Sequence, residues 1–253
     1  MKAGSKFPER LKTSVKHVLA GMGLAMIALP AVGQELNLTV SGQTLSGQSF
    51  LLIALVTVLS LAPGLAVMIT CFPFIVTVLS ILRQAIGLQQ SPPNMLIVSL
   101  SLFLTWFIME PVFQAAWADG ISPLIAGTID LSTAFDRGIS PFRMFMSQRV
   151  DIATFASLAD LRPETAGITD TASAPLSLLV PSFMLSEIAR AFEIGFLIFL
   201  PFLIIDLVVS AVLMSMGMMM VPPAVVALPF KLAFFVVANG WSLISGALVR
   251  SYF

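Results

Sequence analysis

Two groups of side chains in this sequence could do chemistry, and both lie in strongly apolar surroundings. Asp206 and Lys231 are an acid and a base set inside long hydrophobic runs. A single charge at the centre of a lipid-exposed helix costs about 2.5–3.5 kcal/mol, so each of the two demands a partner. Between them lies the stretch M-S-M-G-M-M-M-V-P-P-A-V-V-A-L-P-F-K, Met214 to Lys231, which places five thioethers in seven positions (Met214, Met216, Met218, Met219 and Met220). Thioether side chains are uncharged, polarizable and unbranched, so a row of them makes a soft wall that can reshape around what it touches. Gly217 breaks the helix among them, and Pro222-Pro223 ends the turn and permits a fresh helical start. A turn this apolar is either buried in protein or lines something that needs a deformable, uncharged surface.

With Met218 as the apex of that turn, Asp206 and Lys231 lie 12 and 13 residues away, which at about 1.5 Å per residue puts both roughly 18–20 Å along antiparallel helices. They are expected to face each other at one level. Such a pair serves either as an assembly latch or as a step in a proton relay; a relay needs a chain of titratable groups, and the residues favour the latch.

The inventory excludes most catalysis. His17 is the only histidine and Cys71 the only cysteine, so no intrachain disulfide, thiolate cluster or imidazole-based zinc site can form, and no metal site is expected. A serine protease of the rhomboid type needs a histidine beyond the N-terminal segment, a presenilin-type protease needs a second intramembrane aspartate, and neither G-x-x-x-x-G-K-[ST] nor H-E-x-x-H occurs. The chain is therefore not expected to be an enzyme. It is 58% hydrophobic and 10% charged, a composition that belongs in or against a membrane. Of thirteen basic residues, five (Lys2, Lys6, Arg10, Lys12, Lys16) precede residue 34 with only Glu9 among the acids; the rest of the chain carries eight basic against twelve acidic residues and no nucleic-acid footprint.

The elements that must position these residues follow from the apolar runs. Residues 1–33 have a basic start, an apolar run from Val18 to Leu29 and small residues Ala31 and Gly33, the pattern of a cleaved signal peptide with cleavage between Gly33 and Gln34. Residues 34–48 read as an exported leader. Residues 49–117 form a first hairpin: Ser49 to Leu82 is too long for one span and is expected to bend at Pro63-Gly64 and Pro73, a polar turn follows at 83–94, and Met95 to about Trp117 return, with Glu110-Pro111 a charged, kinked site. Residues 118–181 carry seven acids and four arginines and are expected to be a small water-facing domain of short helices anchored by Phe142, Phe145 and Phe155. Residues 182–250 form the second hairpin, Ser182 to about Leu213 and Ala224 to about Val249 joined by the methionine bend, with Glu187, Arg190 and Glu193 along one helix face. The predicted fold is an all-α membrane protein of two bent helical hairpins, four long apolar helices in all, with a small exported helical domain between them. A cleaved N-terminus outside puts both bends on the cytoplasmic side and 118–181 in the periplasm.

Five stretches coincide in order: L-S-L-A-P-G (59–64), L-R-Q-A-I-G-L-Q-Q-S-P-P-N (82–94), F-I-M-E-P-V (107–112), F-E-I-G-F-L-I-F-L-P-F-L-I-I-D-L-V-V (192–209) and G-M-M-M-V-P-P-A-V-V-A-L-P-F-K (217–231). Over residues 50–253 the chain closely resembles the FliP/SctR family of type III export-gate proteins. That resemblance implies a core subunit of the flagellar export gate: five copies assembled with FliQ and FliR in the basal body of the inner membrane, working with FlhB and FlhA, and passing unfolded flagellar proteins through a central pore. It implies no cofactor and no enzymatic activity. It assigns the charged pair to Asp206 and Lys231, the gate to Met218, Met219 and Met220, and subunit contacts to Phe145, Phe155 and Glu187. It further implies that the two hairpins pack in a cone lifted largely out of the bilayer. The chain departs from the family's pattern at Cys71-Phe72-Pro73-Phe74, where S-F-T-R is usual, and at Arg190, where lysine is common. The competing reading is a permease or channel subunit for small solutes, with Asp206 and Lys231 as the ion site; it wants convergent polar groups at mid-membrane, whereas a gate for unfolded chains wants a compliant seal.

Overall fold

In the computed structural model, residues 45–88, 92–218 and 220–253 are described. The signal peptide 1–33, its Gly33/Gln34 cleavage site, the leader up to residue 44 and Met219 lie outside the described residues. Two compact units divide the chain, Met1–Ala54 and Leu55–Phe253. Of the first, the described part is the start of helix α1 (Leu45–Met68), which begins inside the stretch expected to be leader.

The second unit is built around a short helix. After a turn at Ile69–Cys71, α2 (Phe72–Ile86) carries Pro73 in its first turn, where a missing amide donor costs nothing, and ends on Gly87 at φ 89°, whose amide bonds Gln84 O at 3.0 Å. The expected break at Pro63-Gly64 does not occur: α1 runs through it, and the chain bends just before Pro73 instead. Phe74, Ile75, Val78, Leu79, Leu82, Ala85 and Ile86 are all buried, so α2 lies at the centre of the main core. Helices α3 (Asn94–Ala116), α7 (Leu176–Ser215) and α8 (Pro223–Val237) pack against it. At 15 residues, or roughly 22 Å, α2 is too short to cross an apolar layer of about 30 Å.

A π-helical turn, Trp117–Ile121, joins α3 to α4 (Ser122–Ile125); α5 (Leu131–Arg149) and α6 (Ile152–Ala159) follow. Asp151 caps α6 by accepting the Thr154 amide at 2.8 Å; that bond and the Thr154 hydroxyl hold its carboxyl below the usual carboxylate range. A second core joins Met146 of α5 and Val150 just after it to Phe155 and Ala159 of α6 and to Leu178, Leu179 and Phe183 of α7. Each such fully buried large side chain contributes about 1.5–3 kcal/mol. The first turns of α7 therefore belong to the intervening domain, and the helix continues without a joint past residue 182.

Four long apolar helices were expected. Among the described residues, two helical stretches are long and apolar enough to cross a membrane, Asn94–Ile125 and Leu176–Ser215, and a third candidate exists only if α8 and α9 (Gly240–Arg250) count as one span bent by 60°. The expected single helix from Ala224 to Val249 is broken because Asn239 sits in the left-handed region, φ 49°, and Gly240 follows it. The dipeptide Asn-Gly is a turn signal that the apolar run concealed.

Candidate functional site

The methionine bend is a helix C-terminus followed at once by a new start. α7 ends at Ser215; Gly217 adopts φ 73°, its amide bonds Met214 O at 3.0 Å, and the Met218 amide bonds Leu213 O at 3.0 Å. This pair of bonds is a Schellman motif, which satisfies the last carbonyls and reverses the chain in three residues. Pro222 is extended and Pro223 opens α8. With its backbone so fixed, the bend turns its thioethers outward: Met214, Met216, Met218 and Met220 are 59%, 66%, 40% and 98% exposed. Met216 and Met218 also line an apolar groove of about 610 Å³ between α7 and α8, together with Val212, Leu213, Val226 and Phe230.

Along the same two helices, Lys231 Nζ lies 2.6 Å from Asp206 Oδ2. The ammonium has a second acceptor that sequence spacing did not reveal, the carbonyl of Ala85 at 3.1 Å. Ala85 stands in the last turn of α2, where carbonyls lack helical partners and the helix dipole is negative. Lys231 thus ties the second hairpin to the buried end of the first. Lys231 is buried and the Asp206 side chain is 32% exposed; Asp206 Oδ1 has no hydrogen-bond partner among the described residues.

A second charge centre was not foreseen as a unit. Glu187, 0% exposed, receives Arg149 Nε at 3.1 Å and Arg190 Nη1 at 3.2 Å on Oε1, and the Tyr252 hydroxyl donates to Oε2. Arg149 also donates to Ser251 O at 2.9 Å and lies 4.1 Å over the Tyr252 ring. Burial pushes the Tyr252 phenol well above its ordinary value, so the hydroxyl stays protonated and donates. The i, i+3 spacing of Glu187 and Arg190 was visible in the sequence; Glu193, on the same expected face, is exposed. Phe74, at the position where the family's pattern usually has a basic residue, is buried edge-on to Tyr252 at 5.7 Å, with Arg149 6.0 Å from its ring. A guanidinium from α5 thereby supplies the positive charge at this place.

Of the three residues assigned to subunit contacts, Glu187 and Phe155 are inside the chain, Phe155 at 1% exposure. Phe145 is half-buried, packed against both cores and stacked on Tyr252 at 6.0 Å. Met218, Asp206 and Lys231 share one hairpin, whereas the Glu187 centre joins α2, α5, α7 and the segment after α9. No group of three or more His, Cys, Asp and Glu side chains gathers among the described residues.

A model of the FliP family matches residues 55–248. The flagellar biosynthetic protein FliP of Caulobacter vibrioides is 46% identical, over 98% of this chain and 94% of that protein. The protein of the same name from Rhizobium meliloti is 48% identical over 78% of this chain and 81% of its own length, and that of Bacillus subtilis 45% identical over 79% and 90%.

Proposed function

This chain belongs to the FliP family, and from that premise we propose that it lines the pore through which unfolded flagellar proteins leave the cell, with Met218, Met219 and Met220 as its closure. Its role is in flagellar protein export, as a structural component with apolar helices suited to a membrane. In the proposed assembly five copies meet around an axis with FliQ and FliR in the inner membrane at the flagellar basal body, next to FlhA and FlhB, and residues 118–181 face the periplasm. Phe145 presents surface to a neighbouring subunit, while Phe155 and Glu187 act on that contact by holding the shape of the domain behind it.

The observation that carries this reading is the bend: exposed thioethers on a rigid Schellman turn, within a run from Leu207 to Phe230 that holds no titratable residue. Flexible apolar chains meeting around an axis exclude ions by leaving no room for hydrated ones, yet rearrange around a passing polypeptide. Replacing Met218, Met219 and Met220 with alanine removes volume without removing a hydrogen bond. Cells carrying the triple variant should assemble the complex but leak small ions; leucine replacements should seal nearly as well and slow secretion. Conductance and secretion measured on the same strains test this, and a triple alanine variant no leakier than wild type would place the closure elsewhere.

The small-solute reading is not favoured. Both polar partners of Lys231 are already within hydrogen-bonding distance, Asp206 Oδ2 and Ala85 O, which leaves a bridge between helices rather than an open binding site.

A further inference from the structure

We propose that the bend at Met214–Met220 is a binding site for a soft monovalent cation of the Cu(I)/Ag(I) class, held by thioether sulfur. Metal selectivity follows ligand softness: thioethers bind d¹⁰ monovalent ions well, and hard divalent ions need oxygen or imidazole donors. From Leu207 to Phe230 the sequence supplies five thioethers and no Asp, Glu, His, Cys, Asn, Gln, Lys or Arg. A divalent ion therefore finds no ligand set here, while a soft ion meets only its preferred donors. The geometry adds two points. Met216 and Met218 line the same groove between α7 and α8, so two sulfur-bearing chains reach one cavity. The Gly217 turn holds their backbones while the described methionine side chains remain exposed, so three rotatable bonds each let sulfur atoms converge on an ion without moving a helix. The site stands whether or not the bend closes a pore, since binding needs only the thioethers of one chain.

The test uses the full chain purified in detergent, with Ag⁺ and, under reducing conditions, Cu(I) as probes. Equilibrium dialysis with metal analysis should find about one ion per chain, and X-ray absorption at the metal edge should show a coordination shell of sulfur alone. Changing all five methionines to leucine keeps their volume and removes the sulfur; affinity should fall at least about tenfold. Met68→Leu with Met95→Leu and Met144→Leu, three exposed methionines outside the bend, should bind as wild type does, and so should Cys71→Ala. Should the five-leucine protein fail to fold, Met216→Leu and Met218→Leu singly give the same comparison at smaller amplitude. Wild-type protein that binds no ion stoichiometrically overturns the proposal. So does a shell containing nitrogen or oxygen, or a loss of binding in the Cys71→Ala or control variants equal to that of the five-leucine chain.

Discussion

Lys231 answers two demands at once, neutralising Asp206 and capping the end of α2. Removing either charge leaves the other partly buried and unpaired, a loss of about 3–5 kcal/mol for buried pairs and nearer the lower figure here because Asp206 keeps some contact with water. Asp206→Ala and Lys231→Ala should each impair assembly and export. The exchange Asp206→Lys with Lys231→Asp should recover more assembly than either single change yet fall short of wild type, since a carboxylate at 231 would face the Ala85 carbonyl. If Asp206→Asn assembles normally while export loses its response to pH, the pair is a relay and not a latch. The pair was legible because its partners lie at matching distances from one turn; its third member was not, because a backbone carbonyl 146 positions away has no side-chain signature. The Glu187 centre was hidden for a different reason, since its side chains come from segments 38 and 65 positions away from Glu187 that only the fold brings together. Tyr252 reads as an unremarkable residue until the fold brings it to a buried carboxylate. Tyr252→Phe leaves one oxygen of Glu187 unpaired and should cost about 1–3 kcal/mol; Glu187→Gln leaves two guanidinium groups without their counter-charge and should cost more. Thermal unfolding in detergent gives the order, and equal stability of the two variants with wild type would mean that the centre carries no weight.

Among the elements, proline is the weaker punctuation and the left-handed residue the stronger. Pro111, Pro141, Pro181, Pro201 and Pro229 all lie inside helices, whereas the chain turns at Gly87, Gly217 and Asn239. A proline removes one amide donor and leaves the helix direction to its neighbours; a residue with φ near +60° ends the ladder outright. Reading the over-length runs by their prolines therefore found the bend before Pro73 and missed the break at Asn239-Gly240. Two glycines test the local packing in opposite directions. A β-carbon on Gly240 would come within 2.1 Å of the Phe235 ring, itself packed on Trp241 and Phe202, so Gly240→Ala should destabilise by about 1–3 kcal/mol. A β-carbon on Gly64 meets nothing within 4 Å inside α1, so Gly64→Ala should be neutral or stabilising by up to about 1 kcal/mol. Unfolding of both variants under identical conditions decides it, and the same sign for the two would contradict the packing described.

At the scale of the whole molecule, a single chain is incompletely covered. Phe192, Phe196, Leu197, Ile204, Leu207 and Val208 all stand exposed along α7, and that helix has 40 residues, roughly 60 Å, or twice the apolar thickness of a bilayer. Lipid can cover only part of that length, which supports the proposal that other subunits cover the remainder. The native mass of the detergent-extracted complex should correspond to five copies with two further small membrane proteins, and a stable monomer would oppose the assembly proposed. The membrane class and the family were readable in composition and in long collinear motifs. The short central helix was not, because α2 is as apolar as the runs around it and only the packing of α3, α7 and α8 against it marks it as the centre. Processing belongs to this scale too: Ala31 and Gly33 after a short apolar run predict a mature N-terminus at Gln34, and recovery of the Met1 form from assembled complexes would contradict it.

The contact between Tyr252 and Glu187 spans 65 positions, and that between Arg149 and Ser251 spans 102. Closing contacts with such separations costs more chain entropy than closing local ones, so they are expected to form after the local helices and hairpins. Interactions absent from the folding transition state act on the rate of escape from the native state and hardly on the rate of reaching it. Tyr252→Phe should accordingly shorten the lifetime of the folded chain while leaving its speed of folding nearly unchanged, so the phenol lengthens the time the subunit persists once made; unfolding and refolding rates measured on this variant check it.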